Sequence, residues 1–139
     1  KFSQGRLSSP FLEQLAVMPL LRNSGQFTHH LIHEYRGRRD AVIRGLSGIP
    51  GVSAYSPEGA FYVIVGLPVK DADHFCQWML QKFHYHEQTV MLAPAEGFYV
   101  TPGKGKNEVR IAYVLSAPKL SHAMMILRRA LEVYIRAVH

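Results

Sequence analysis

The apolar residues of this chain switch repeatedly between helix-type and strand-type spacing, and that alternation restricts it to a mixed α/β fold. Phe27, Leu31, Tyr35, Val42 and Leu46 fall on one side at near-helical periodicity, which predicts a helix over 26–46. Gly48, Pro50 and Gly51 stop it. Val52–Tyr55 and the aromatic, β-branched run Phe61–Val65 then read as a hairpin about the turn Ser56-Pro57-Glu58-Gly59. Asp71 can cap a third helix whose apolar stripe is Ala72, Phe75, Cys76, Met79, Leu80 and Phe83. Val90–Ala93 is a short strand candidate and Val109–Leu115 a stronger one. Ser116 and Pro118 open a last helix with Leu120, Met124, Leu127, Leu131, Tyr134 and Val138 on one face. Ahead of all these, Ser9 as N-cap and Pro10 at the first helical position begin a helix carrying Phe11, Leu12, Leu15 and Ala16, which Pro19 should end or kink. The order is α-α-β-β-α-β-β-α. Its economical architecture is α/β (α+β): a small, mostly antiparallel sheet with helices packed on one face.

At 139 residues the chain suits one domain and can bury a core. Hydrophobic residues at 47% against 19% charged exclude disorder. A lone cysteine, Cys76, excludes an intrachain disulfide and fits a reducing, cytoplasmic setting. No apolar run approaches the ~20 residues of a membrane span, and the N-terminus lacks the charged-then-apolar pattern of a signal peptide. The chain begins with Lys1 rather than Met, so a processed or cloned fragment is expected. The formal charge of +6 permits an acidic partner, but Arg36, Arg38, Arg39 and Arg44 share one helical stretch and Arg128, Arg129 and Arg136 another. Such runs read as solvated faces. With neither a ribonucleoprotein-type signature nor a recognition helix, no nucleic-acid partner is expected.

Arg110 is the most unusual position. It lies in Val109-Arg110-Ile111-Ala112-Tyr113, a strand otherwise apolar, and alternation puts it with Ala112 and Val114 on the face opposite Val109, Ile111 and Tyr113. A buried guanidinium is costly unless paired, and its planar fork matches a carboxylate. Its partner is therefore an internal acid or an external anion, unless it is simply an edge-strand or structural arginine. The other candidates have bland readings. His29 and His33 stand four apart on a helix without the H-E-x-x-H pattern, and no metal site is expected. Thr101-Pro102-Gly103-Lys104-Gly105-Lys106 lacks phosphate-loop spacing and precedes a strand, so it reads as a flexible hairpin loop. Cys76 belongs to an apolar stripe and reads as core. No nucleophile triad or convincing carboxylate pair occurs.

Several landmarks follow one another in order. Arg38-Arg39-Asp40 comes after Tyr35, then Ile49-Pro50-Gly51-Val52, Pro57-Glu58-Gly59-Ala60-Phe61-Tyr62, the Leu67-Pro68 step, and finally Val109-Arg110-Ile111-Ala112-Tyr113 with its long amphipathic helix. This succession resembles the C-terminal small domain of the fold-type I, pyridoxal-phosphate-dependent aminotransferases of class I/II, the aspartate aminotransferase-like group. The opening Gln4-Gly5-Arg6-Leu7-Ser8-Ser9-Pro10 is similar to that family's interdomain helix region. The resemblance implies residues 1–25 as the interdomain region and 26–139 as the small domain. It also implies that Arg110 grips the substrate's α-carboxylate and that Phe61 lines the substrate side of the pocket. Where many members carry P-G-x-x-F, this chain has Pro94-Ala95-Glu96-Gly97-Phe98 and a longer loop.

The family's cofactor-bearing lysine sits in a Ser-x-Ser-Lys-type segment that does not occur here. The cofactor performs the hard chemistry, so the resemblance implies no catalytic residue, no bound cofactor and no transamination by this piece alone. Its partners would be an amino acid or 2-oxo acid in the full-length enzyme and the large cofactor-binding domain of the same chain. The full-length enzyme is expected to be a homodimer through large-domain contacts, and the piece alone a monomer or a non-native dimer. The alternative is a free-standing α/β module that binds a small acid through Arg110 without a cofactor.

Overall fold

A computed structural model describes residues 10–138. They form four helices and a four-stranded sheet, separated by chain contacts into two compact units that divide between Glu34 and Tyr35.

The first unit holds α1 (Phe11–Arg22) and the start of α2 (Ser24–Ser47). The predicted cap at Ser9 lies outside the described residues. Pro10 occupies the N-cap position at ψ 142°, so the helix proper starts at Phe11 and not at Pro10. Pro19 does not end α1, one of the two outcomes expected of it. Its ring fixes φ near the helical value, so the cost is one missing N–H bond and local crowding. The helix runs on to Arg22, and both the backbone N–H (3.3 Å) and the side-chain amide (3.5 Å) of Asn23 donate to the Pro19 carbonyl. No residue of α1 is buried; Phe11, Leu12, Leu20 and Leu21 are all more than half exposed.

The second unit contains the core. In it lie the second half of α2, β1 (Ser53–Ala54), β2 (Tyr62–Gly66), α3 (Ala72–Gln81), β3 (Ala93–Pro94), β4 (Glu108–Ala112) and α4 (Ala117–Val138). The sheet order is β1-β2-β4-β3 and every pairing is antiparallel. The expected hairpin is present, with Ser53 opposite Gly66 and Ala54 opposite Val65, but its connection is longer than a tight turn and takes in Phe61. The short third strand falls at Ala93–Pro94, so Val90 is not part of it. A 3₁₀ turn, Glu96–Phe98, and the loop that follows it lie between this strand and β4.

Period-two alternation decides which side of the sheet is covered. Val63, Val65, Val109, Ile111 and Tyr113 point inward and pack with Val42 and Leu46 of α2, Phe75 and Met79 of α3, and Met124, Leu127 and Leu131 of α4. The helices therefore cover one face, as the sequence predicts. Asp71 caps α3, its carboxylate accepting the His74 backbone N–H at 3.0 Å. Two predicted stripes are only partly used. Leu80 is exposed because α3 buries just Ala72, Phe75, Cys76 and Met79. Phe27 and Leu31 are exposed too, since the apolar stripe of α2 is buried only in its second half. No helix among the described residues is long and apolar enough to cross a membrane.

Candidate functional site

Arg110 sits at the middle of β4, a central strand, with Ile64 of β2 on one side and Ala93 of β3 on the other. Alternation turns it away from the core, onto the face that no helix of the second unit covers. It is half-buried there, on the face that alternation assigns it. The burial comes from two aromatic rings. Tyr62 is two residues along β2 from Ile64, the diagonal position that long side chains can bridge. Its ring centroid lies 5.5 Å from the Arg110 guanidinium carbon, and that of Phe98 lies 5.0 Å away. Such contacts hold a cation by the ring quadrupole, worth ~0.5–1 kcal/mol at exposed sites. No acid or carbonyl among the described residues accepts a hydrogen bond from Arg110, so the internal-acid alternative finds no support there. Its five N–H donors are therefore flanked by rings and meet no acid among the described residues.

Phe98 reaches this place through the Glu96–Phe98 turn, whose start is pinned to β4 by the Ala95 N–H donating to the Glu108 carbonyl at 2.9 Å. Phe61 lies at the rim, half-exposed, its ring edge-on to Tyr62 with centroids 5.7 Å apart. Phe61 follows Ala60, whose φ of +60° is a left-handed conformation that costs a non-glycine residue ~1–3 kcal/mol.

Arg38 and Arg39 are more than members of a solvated run. Arg38 Nη1 donates to the Val114 carbonyl at 2.7 Å, just beyond β4. Arg39 is held by Asp40 through Nε and Nη2, each 2.8 Å from Oδ1, and gives Nη1 to the Pro57 carbonyl at 3.2 Å. Tyr113 is buried beneath the same loop, and its hydroxyl donates to the Ala60 carbonyl at 3.2 Å. Burial pushes the Tyr113 phenol up, while the charge of Arg39 pulls it the other way. Charge-run reasoning missed these roles; the available signal was the unbroken Arg38-Arg39-Asp40, in which an acid directly follows the fork it orients.

The remaining candidates read as structure. The 101–106 loop is tied down rather than free of contacts. The Lys106 carbonyl accepts from Ala72 N–H at 2.8 Å, and Lys104 Nζ lies 5.2 Å from the Tyr99 ring centre. The Tyr99 hydroxyl donates to Glu108 Oε2 at 2.5 Å, a bond that, with burial, pushes its own ionisation up. Cys76 is buried in the core, and desolvation, with the Asp73 charge adding, raises its thiol to about 11. His29 and His33 are exposed, and no group of potential metal ligands occurs among the described residues. A cavity of about 410 Å³ is lined by Gly51, Leu67, Pro68, Tyr134 and neighbours, and Arg110 is not among its lining residues.

The chain is similar to aspartate aminotransferases of Pyrococcus horikoshii (32% identical over 124 residues) and Musicola paradisiaca (30% over 130). These alignments take in 86% and 89% of the chain but only 29% and 30% of those relatives. Among solved structures it superposes on LysN, the alpha-aminoadipate aminotransferase of Thermus thermophilus, crystallised with N-(5'-phosphopyridoxyl)-L-leucine. The TM-score is 0.77 at 25% identity, over 96% of this chain and 34% of that one. An aromatic aminotransferase of Pyrococcus horikoshii matches at 0.65 and 27% identity, over 81% and 28%. The chain belongs with the fold-type I aminotransferases. It spans about three-tenths of the length of the curated relatives it matches, and so corresponds to a fragment of such an enzyme. The free-standing module is not favoured. No protein-family model matches the chain.

A fold-type I aminotransferase uses pyridoxal phosphate, so the fit of these residues to that group can be judged. A lysine that reacts with the cofactor must be deprotonated, which desolvation or a neighbouring cation achieves. Lys70, Lys82, Lys104, Lys106 and Lys119, the lysines among the described residues, are all exposed. Lys106 lies 3.9 Å from Asp71 and Lys104 over Tyr99. None of these five lysines stands in a desolvated setting that would suit that reaction.

Proposed function

We propose that the chain is the C-terminal small domain of an aminotransferase that exchanges an amino group between an amino acid and a 2-oxo acid. Residues 1–25 form its interdomain region and 26–139 the small domain. Arg110 receives the substrate's α-carboxylate. The observation that carries this reading is the guanidinium on the sheet face that no helix of the second unit covers, flanked by Tyr62 and Phe98 and without an acid among the described residues. A carboxylate can meet the fork with two parallel N–H···O bonds, the strongest form of such recognition. The flanking rings keep water from part of the guanidinium and so strengthen its pairing with the incoming charge. Arg110 thereby orients the substrate, and Phe61 at the rim contacts its remainder.

Pyridoxal phosphate supplies the electron sink when bound in the large domain. This chain does not transaminate alone, because the lysines among the described residues stand in solvent. In the full-length, cytoplasmic homodimer the large domain covers the face that bears Arg110, and closure of the small domain excludes water from the substrate.

Titration of the chain with 2-oxoglutarate, followed by NMR at the Arg110 Nε–Hε resonance, tests the site. Saturable shifts that vanish in Arg110→Leu support it; equal shifts in the variant refute it. Mixing the chain with pyridoxal phosphate tests the second claim, since a saturable visible band from one lysine, or measurable turnover, would overturn it.

A further inference from the structure

The loop that delivers Phe61 and Tyr62 to the open face is held from the covered side. The Pro57 carbonyl takes Arg39 Nη1 at 3.2 Å, and the Ala60 carbonyl takes the Tyr113 hydroxyl at 3.2 Å. The Phe61 carbonyl takes the Tyr113 backbone N–H at 2.9 Å. A second, longer contact of the Tyr113 hydroxyl reaches the Gly59 carbonyl at 3.4 Å. Ala60 keeps its left-handed φ of +60° between these ties, and such a conformation persists only where its surroundings over-determine it. The residue that follows is Phe61, then Tyr62, whose ring lies on Arg110. One strand segment thus presents Arg110 to the open face and Tyr113 to the core, and the core-side residue fixes the neighbours of the other.

The geometry points to Arg39 and Tyr113 as positioning residues for the anion site. They hold the 57–61 loop so that Tyr62 stays on the Arg110 guanidinium and Phe61 stays edge-on beside it. Neither touches the ligand. Asp40 belongs to the device because it accepts two of Arg39's N–H groups and leaves Nη1 aimed at Pro57. This assignment rests on the reading of Arg110 as a carboxylate site.

The test uses the 139-residue chain with 2-oxoglutarate as the probe, in the wild type, Tyr113→Phe, Arg39→Met, Arg39→Lys and Arg110→Leu. The resonance of Arg110 Nε–Hε without ligand reports the Tyr62 ring current, which a loss of global stability alone would not move in the folded population. Tyr113→Phe and Arg39→Met should each shift that resonance and weaken binding about fivefold, the factor equivalent to one net hydrogen bond of ~1 kcal/mol. Arg39→Lys, which can restore only one of the two partners at a time, should fall between Arg39→Met and the wild type. If Arg110→Leu abolishes binding while Tyr113→Phe and Arg39→Met keep the wild-type resonance and affinity, positioning is overturned and the carboxylate reading stands. If Arg110→Leu binds as the wild type does, both are overturned. Should Tyr113→Phe fail to fold, the Arg39 variants decide, because that side chain is 24% exposed and leaves no cavity in the core.

Discussion

Replacing Gly105 by alanine should cost more stability than the same change at Gly103, although the two share nearly the same backbone. Their φ angles are +75° and +76°, in the left-handed region where a Cβ meets its own carbonyl. That strain, partly offset by the lower chain entropy of unfolded alanine, amounts to about 1 kcal/mol at either site. Space separates them. A Cβ on Gly103 meets nothing within 4 Å, whereas on Gly105 it falls 2.3 Å from Cε2 and 2.4 Å from Cδ2 of Tyr99. The ring must move, and overpacking of this kind costs ~1–3 kcal/mol. Tyr99 is only partly buried, so the lower half of that range applies. The expected losses are about 1 kcal/mol for Gly103→Ala and about 2–3 kcal/mol for Gly105→Ala. Urea unfolding of both variants measures them. Tyr99→Leu added to Gly105→Ala should recover the steric part and leave Gly103→Ala unchanged. Equal losses at the two glycines, or no recovery in the double variant, would refute the claim that this loop is a packed turn supporting β4.

Asp71→Ala should lower stability by ~1 kcal/mol through loss of the α3 cap, while Lys106→Ala should change it by less than ~0.5 kcal/mol, because that 3.9 Å pair is solvent-exposed; denaturant midpoints distinguish the two. Leu127→Ala, at a fully buried position facing the sheet, should cost ~2–5 kcal/mol by calorimetry or urea unfolding. The raised Cys76 thiol favours the protonated, folded form. Its contribution should be complete below the ordinary value of 9.0 and should be lost as pH rises towards about 11. Stability measured across that window should fall less in Cys76→Ala than in the wild type, and an equal slope in both would discount the residue.

Much of the site was legible before any coordinates. Arg110 stands out because a charge at one position of an apolar strand breaks an otherwise simple pattern, and the Pro57–Tyr62 run marked the loop beside it. Its surroundings were not legible. The sequence suggested a buried guanidinium; the fold places it on the face away from the second unit's helices and half-buries it with Tyr62 and Phe98, which lie 48 and 12 positions away in the chain. Arg39 and Tyr113 stayed hidden for the same reason. Their partners are carbonyls of a remote loop, and backbone acceptors leave no trace in residue identity.

By itself the sequence determined the order and type of the main elements, the Asp71 cap, and the inward residues of β4 and α4. These follow from local spacing, because pleat and helix repeat assign a face without reference to anything distant. Tertiary structure alone decided how far each apolar stripe is used. Leu80 and Phe27 satisfy the helical period yet remain exposed, because burial needs an opposing surface and only the covered face of a four-stranded sheet provides one.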